Sequence, residues 1–318
     1  MRILLTGCNG FIGRRLAADA AALGWQVVGI GRAQAPAAPL ARYVRADLGA
    51  ALDLDERVDA VVHAAALARP WAAPEEYRRN NVAATTHIAA WAAAHGGPHL
   101  VYVSSSSVLY RDADQFGLRE DSPVPPDTEQ LNDYARTKLA GERITRSYPG
   151  DWTVARPRAV FGPGDTVLLP RVVAAARQGV LPRFTRRDGH AARADLTPVA
   201  TVSHYLLRIV ADGVTGEFNL TNAETVDLDP FVDSVLARLG VTPRRPRVPV
   251  GVALALAGVG EAWSARFGHY AEPPITRFGV SMFAFSKTFD ASRLLAALGP
   301  APVTLAAAVD ELVAEWHA

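Results

Sequence analysis

Several things are scarce in this sequence. It has one cysteine, Cys8, among 318 residues. That excludes an intramolecular disulfide framework and fits a reducing, cytoplasmic setting. No apolar stretch approaches the roughly 20 residues of a membrane span. The nearest, 248–260 (VPVGVALALAGVG), is too short, and the opening residues lack the long apolar run of a signal peptide. Neither charge sign is in excess, with 33 basic residues against 32 acidic. A polyanion-binding protein would be basic, so no nucleic acid partner is expected. Lysine is nearly missing: only Lys138 and Lys287 stand among those 33 cations. A lysine inside a chemical pattern therefore carries more weight than usual. The eight histidines are scattered. His95 and His99 are parted by Gly96-Gly97-Pro98, so no metal site is expected. A Gly-x-Ser-x-Gly elbow is missing, which removes support for serine-hydrolase chemistry.

The 49% apolar and 20% charged content belongs to a folded chain, and the length suggests about two domains. Short apolar runs alternate with helical spacing through the first half. Strands are expected at 2–6, 26–30, 43–46, 60–64, 99–104 and 152–155, and helices at 11–23, 75–95 and 133–147. Near-continuous apolar strands separated by helices imply a parallel sheet covered on both faces. The fold class is α/β, a doubly wound parallel sheet of Rossmann type with a smaller C-terminal lobe. Residues 1–165 are expected to form the dinucleotide-binding domain, to which the chain returns near 195–225. Residues 166–318 form mostly a substrate lobe. There a helix near 168–178, a strand at 217–220 and a helix near 230–239 are expected. The 243–249 run is expected to be a connector with solvated charges, and the 248–260 run a core helix or the lining of an apolar pocket.

The first chemical motif is Thr6-Gly7-Cys8-Asn9-Gly10-Phe11-Ile12-Gly13, between a strand and a helix. Gly7 permits the sharp turn, Gly10 lets the backbone approach a pyrophosphate, and Gly13 lets the helix pack closely. Gly7, Asn9, Gly10, Phe11, Ile12 and Gly13 are therefore expected to bind a dinucleotide at the helix N-terminus. An NAD-selective protein carries an acid about 20 residues further on, at the end of the second strand. Here that strand ends Gly31-Arg32, and no acid appears until Asp47. Gly31 leaves room for a 2′-phosphate and Arg32 is placed to pair with it, with Arg14 and Arg15 as second candidates. NADP(H) is expected over NAD(H).

The second motif is Tyr134-Ala-Arg-Thr-Lys138. Residues i and i+4 share a helix face. A cation one turn from a phenol favours the phenolate and lowers a pKa that is ordinarily near 10. Such a pair can exchange a proton with a carbonyl or hydroxyl oxygen. The third is the serine run Ser104–Ser107, at the C-terminal end of the fifth strand, where open α/β sheets bind ligands. A hydroxyl there is placed to hydrogen-bond a substrate oxygen.

Together the glycine turn, the serine run and Tyr134/Lys138 resemble the extended short-chain dehydrogenase/reductase family. That family includes the nucleotide-sugar epimerases and dehydratases and the 3β-hydroxysteroid dehydrogenases. Val61-Val62-His63-Ala64-Ala65, Asn81-Val82, Arg156-Pro157 and Phe161-Gly162-Pro163-Gly164 agree with it. Near the end, 273–278 and Phe289-Asp290 are similar to the 3β-hydroxysteroid dehydrogenase-like branch. The resemblance implies that Tyr134 is the proton donor and Lys138 its partner, both also touching cofactor. It places Asp47-Leu48 at the adenine and Ala64-Ala65 against the cofactor. It puts the catalytic serine at Ser105 when Val108 is aligned, or at Ser106 when Tyr110 is; the count from the strand favours Ser105. It also implies a homodimer through the helices near 75–95 and 133–148. Ala159 stands where sugar-nucleotide members carry asparagine, which points away from a nucleotide sugar. The expected activity is ketone–alcohol interconversion on a small molecule, for which an apolar one is a candidate. An epimerase or dehydratase with a transiently reduced cofactor and a non-catalytic dinucleotide-binding sensor are the alternatives. Lys287 has no such context and reads as an ordinary residue.

Overall fold

The computed structural model describes residues 1–165, 168–186 and 188–317. Strand β1 (Arg2–Thr6) feeds helix α1 (Phe11–Ala22), followed by β2 (Gln26–Gly31), β3 (Arg42–Arg45) and β4 (Ala60–His63). Helix α2 (Pro74–Tyr77) runs through a π-helical stretch at 78–83 into α3 (Ala84–Ala94). Next come β5 (His99–Val103), β6 (Gln115–Leu118), α4 (Asp133–Arg146) and β7 (Trp152–Pro157). The second half holds β8 (Val160–Phe161), α5 (Leu169–Arg177), β9 (Arg183–Thr185), β10 (Arg193–Asp195), β11 (Thr197–Pro198), α6 (Val199–Asp212) and β12 (Gly216–Leu220). It continues with β13 (Thr225–Asp227), α7 (Leu228–Arg238), β14 (Arg247–Pro249), α8 (Val250–Phe267) and α9 (Arg277–Ala284). β15 (Lys287–Phe289), α10 (Ser292–Leu298) and α11 (Leu305–His317) close the chain.

Seven strands form one parallel sheet in the order β12-β7-β5-β4-β1-β2-β3. Alternation along β1 covers both faces. Ile3 and Leu5 pack towards α1 and α6, while Leu4 packs with Val28, Val61 and Ile88 on the α3 side. The chain leaves β1 for opposite sides, so the order reverses between β1 and β4. Thr6 pairs in register with Ile30 on one side and His63 on the other. This is the crevice where doubly wound sheets bind ligands.

A second sheet, β13-β10-β15-β6, builds the smaller lobe with α5, α7 and α11. β6 reaches it from within the first half, while β12 and α6 return from the lobe to the large sheet. The expected lobe's first residue, 166, and its last, 318, lie outside the described residues.

Three expectations need correction. The helix expected over 75–95 is interrupted by the π stretch, because Asn81 turns its side chain onto the Leu67 backbone and Thr137. The 243–249 charges are not all solvated: Arg245 pairs with Asp229 and Asp233 on α7. The 248–260 run is no core helix. It ends β14 and begins α8, which buries Val250, Ala253, Ala257 and Ser264, half-buries Leu254, and leaves Val252, Leu256, Val259, Trp263 and Phe267 exposed. No helix among the described residues is long and apolar enough to cross a membrane.

Candidate active site

The glycine turn is shaped by close approach. Gly7 has φ +70°, and a Cβ on it would come within 2.8 Å of the Ala65 backbone. A Cβ on Gly13 would lie 2.1 Å from the Gly7 carbonyl oxygen. Neither position tolerates a side chain. Gly10 is the N-cap of α1, with no side-chain cap and no acid in the first turn. A Cβ there would meet only the Gly7 oxygen, at 3.2 Å, so its outer face is bare. A helix N-terminus with free N–H groups behind a bare backbone fits a dinucleotide pyrophosphate. Ala64 and Ala65 lie over this turn, with Ala65 N–H donating to Thr6 Oγ1 at 3.1 Å. Phe11 and Ile12 open α1 beside it. Asn9 instead holds the 35–37 loop, accepting from Ala37 N–H at 2.8 Å and donating to the Ala35 carbonyl at 3.1 Å.

The space beside Gly31 is not open. A Cβ on Gly31 would meet the Tyr43 hydroxyl at 3.0 Å and Asn9 Nδ2 at 3.3 Å. Beyond it Arg32 is exposed and donates to Asn80 Oδ1 at 3.1 Å. Arg45, in register with Gly31, donates to the Arg32 carbonyl at 3.2 Å and to Gln34 at 3.0 Å. Sequence reading missed Arg45, which becomes visible only once β3 pairs with β2. The second candidates turn elsewhere: Arg14 donates to the Gly164 carbonyl at 3.0 Å, and Arg15 pairs with Asp19 and Glu311. Asp47 is held by Arg79 at 2.6 Å and by Gly49 N–H at 2.9 Å, and Leu48 is buried beside it.

Ser105 caps the 3-10 turn Ser106–Leu109, accepting from Ser107 N–H at 3.2 Å. Its hydroxyl meets Ser107 Oγ at 2.9 Å and is near enough to Tyr134 to oppose the rise of the phenol pKa. Ser106 turns the other way, to the Tyr110 hydroxyl at 2.6 Å and the Pro157 carbonyl at 3.2 Å. Asn132 caps α4, accepting from Ala135 N–H at 2.9 Å, and so fixes the turn that carries Tyr134. Lys138 is buried, with Nζ donating to the Val103 carbonyl at 2.7 Å and lying 4.8 Å from the Tyr102 ring centroid. Gly141 lets α4 sit this close, since a Cβ there would strike the Tyr102 hydroxyl at 2.2 Å.

The expected depression of the phenol pKa does not occur. Burial pushes Tyr134 up to about 12, and Ser105 is what opposes it. Burial also brings Lys138 down to about 7, against the pull of Glu142. At neutral pH the phenol is thus protonated, the form that can donate.

A buried chain of hydrogen bonds ties the end of β1 to α4. Thr6 Oγ1 meets His63 Nδ1 at 2.7 Å, His63 Nε2 meets Thr85 Oγ1 at 3.1 Å, and Thr85 donates to the Asn81 carbonyl at 2.6 Å. Asn81 Nδ2 then donates to Thr137 Oγ1 at 2.9 Å. Burial lowers the His63 pKa to about 3, so the ring is neutral. The hydrogen bonds assign its proton to Nε2.

A charged network sits beneath Lys138. Glu142, one turn on, accepts from Ser104 Oγ (2.7 Å), Arg156 Nε (2.8 Å), Arg156 Nη2 (2.7 Å) and Arg146 Nη2 (2.9 Å). Glu142 and Arg156 are fully buried. Lys287 is not ordinary either. It is fully buried, donates to the Ala113 carbonyl at 2.6 Å, and burial brings its pKa down to about 8. Ala159 has φ +40°, a left-handed backbone that asparagine tolerates better than alanine.

Comparison with known proteins places this geometry in context. The profile of the NAD dependent epimerase/dehydratase family matches residues 3–220. A 2-alkyl-3-oxoalkanoate reductase of Stenotrophomonas maltophilia (strain K279a) is 31% identical, covering 87% of this chain and 88% of its own. A 4-hydroxy-2-methyl-3-oxo-4-farnesyl-3,4-dihydroquinoline-1-oxide ketoreductase of Stigmatella aurantiaca is 28% identical, covering 94% and 91%. Among solved structures, MoeE5 in complex with UDP-glucose and NAD superposes with a TM-score of 0.74 at 24% identity, covering 100% of this chain and 98% of that one.

Proposed function

Because this chain belongs to the NAD dependent epimerase/dehydratase family, we propose that it is an NADP(H)-dependent reductase interconverting a ketone and a secondary alcohol, with Ser105, Tyr134 and Lys138 as its proton-transfer site. That it is an NAD(P)-dependent oxidoreductase follows from the family and its reductase relatives. When bound, the nicotinamide dinucleotide supplies or accepts the hydride. The chain's own part is binding, orientation and the proton.

Gly7, Gly10 and Gly13, with Phe11, Ile12, Ala64 and Ala65, receive the pyrophosphate side of the cofactor. Asp47 and Leu48 take the adenine side, and Asn9 acts by holding the loop next to it. Arg32 and Arg45 stand at the end of β2 where a 2′-phosphate would need cations. Their side chains bond only neutral partners, which leaves their charge for a ligand. Asn80 yields Arg32 at the cost of one exposed hydrogen bond.

The single observation that carries the chemistry is geometric: Ser105 caps the turn after β5, Tyr134 opens α4, and Lys138, one turn on, is buried with Nζ on the Val103 carbonyl at 2.7 Å. Ser105 holds the substrate oxygen, and Tyr134 gives that oxygen its proton. Lys138 stabilises the phenolate left behind and reaches towards the cofactor ribose. Ser106 is buried against Tyr110 and Pro157, whereas Ser105 is only partly buried and bonds within its own turn, to Ser107, which supports Ser105 for the role. The names of two reductase relatives specify oxo compounds bearing an alkyl and a farnesyl group, which supports a ketone with an apolar chain as the substrate. A homodimer through α3 and α4, which pack side by side, belongs to the same proposal.

The test is Tyr134→Phe, followed by nicotinamide absorbance with such a ketone. A lost proton donor costs about 100-fold or more in turnover, with NADPH affinity unchanged. Full turnover overturns the assignment. An epimerase or dehydratase would regenerate its cofactor, so product without net NADPH consumption would overturn the reductase reading.

A further inference from the structure

Among the described residues, nothing covers the outer face of α8. Its buried side, Val250, Ala253 and Ala257, packs in a small cluster with Val280 and Ala284 of α9. At about 100° per residue, Val252, Leu256, Val259, Trp263 and Phe267 fall on a separate stripe within about 80° of arc. Their exposures run from 51% at Val252 to 70% at Val259. Single exposed apolar residues are normal on a surface, but a continuous stripe marks an interaction site.

Near the stripe, the acids Asp112 and Glu272 are taken up by Arg277 and Arg171, while two arginines carry no such partner among the described residues. Arg266 adjoins it on the last turn, with its guanidinium 5.5 Å from the Phe267 ring centroid. Arg247 is exposed three residues before the helix begins. The stem of Arg277 lies beside Gly258, 3.6 Å from where its Cβ would be. The sole acid on α8, Glu261, is turned onto the Arg277 backbone N–H at 2.7 Å.

We propose that this face docks on an anionic lipid surface. An aliphatic stripe ending in Trp and Phe beside arginine matches a helix lying in a bilayer interface, with the aromatics at headgroup level. Arg247 and Arg266, exposed and without an ion pair among the described residues, then meet lipid phosphates. The site lies close to this face. On its inner side Ser264 accepts from Trp71 Nε1 at 3.0 Å, and the adjacent Pro70 carbonyl accepts from Asn132 Nδ2 at 3.4 Å, at the cap of the helix bearing Tyr134. A docked bilayer would thus abut the loop leading to the catalytic tyrosine. Docking itself does not depend on the reductase reading.

The test is flotation of the full chain with phosphatidylcholine vesicles, with and without phosphatidylglycerol. The chain is expected to float with the mixed vesicles. Trp263→Glu should lower partitioning about tenfold. Arg266→Ala should lower it about fivefold, and only where phosphatidylglycerol is present. Unchanged melting and unchanged turnover of a short water-soluble ketone would show that both variants fold. Wild-type chain that stays unbound with both vesicle types overturns the proposal. So does a dimer in light scattering that Trp263→Glu converts to monomer, because the stripe would then be covered by a second copy. Vesicle binding without turnover would count against the reductase reading alone, and turnover without vesicle binding against this one alone.

Discussion

Replacing Glu142 by glutamine tests the charged network and the proposed role of Lys138 together. The side chain keeps its shape and one acceptor oxygen but loses its charge, and an amide N–H2 now faces guanidinium donors. Arg156 is left in the interior with half its partners. Removing one member of a buried ion pair costs about 3–5 kcal/mol. Arg156 keeps Glu217 Oε2 at 2.7 Å, and that carboxylate is partly exposed, so the low end applies, about 3 kcal/mol. For a chain of this size that is a fall in Tm of about 6 °C by calorimetry. The second readout is pH. Lys138 titrates near 7 because burial outweighs the Glu142 charge. If the ammonium is needed, kcat/KM falls as pH rises through that value. Removing Glu142 lowers the lysine pKa further, so the alkaline limb moves to lower pH. The sign for stability agrees. The folded pKa lies below the unfolded 10.5, so the penalty on the cation is full at low pH. The variant's extra penalty therefore exists below about pH 7 and disappears above it, and the Tm deficit narrows as pH rises. A Tm within about 1 °C of the parent, with an unmoved alkaline limb, would refute both claims.

Two further outcomes are expected from the cofactor side. Gly13→Ala places a methyl 2.1 Å from the Gly7 carbonyl, which forces α1 off the turn at about 1–3 kcal/mol; fluorescence titration should show NADPH affinity reduced tenfold or more in a chain that still folds. Arg32→Ala removes a charge-assisted hydrogen bond worth about 1.5–3 kcal/mol, so NADPH should weaken at least tenfold while NADH is unchanged. NADH binding tighter than NADPH in the wild-type chain would refute the NADP(H) preference.

The large sheet was legible because its strands are almost wholly apolar and its turns are marked by glycines that nothing else could replace. Gly7 and Gly13 are forced by backbone contacts, and such constraints leave a mark at fixed spacing. The Tyr134/Lys138 spacing was legible for the same reason, since a helix places i and i+4 together. The electrostatic consequence was not: proximity suggested a lowered phenol pKa, but burial, which no spacing encodes, sets it at about 12. Glu142 and Arg156 look like any surface pair in the sequence, and only the packing of α4 on β7 takes them out of water. The lobe was hardest to read because its strands are two to four residues long, too short for a period of two to show. The 248–260 run showed apolar character on every side of the helix, so it carried no sign of which side lacked cover.

The small sheet draws its four strands from 115–118, 193–195, 225–227 and 287–289. The lobe therefore corresponds to no single stretch of gene. A relative's selectivity could not be imported by exchanging one block, because any single crossover between 118 and 287 would split the sheet between two parents. New substrate preference in this architecture has to come from replacements and insertions made in place, each tolerated while its neighbours stay as they are.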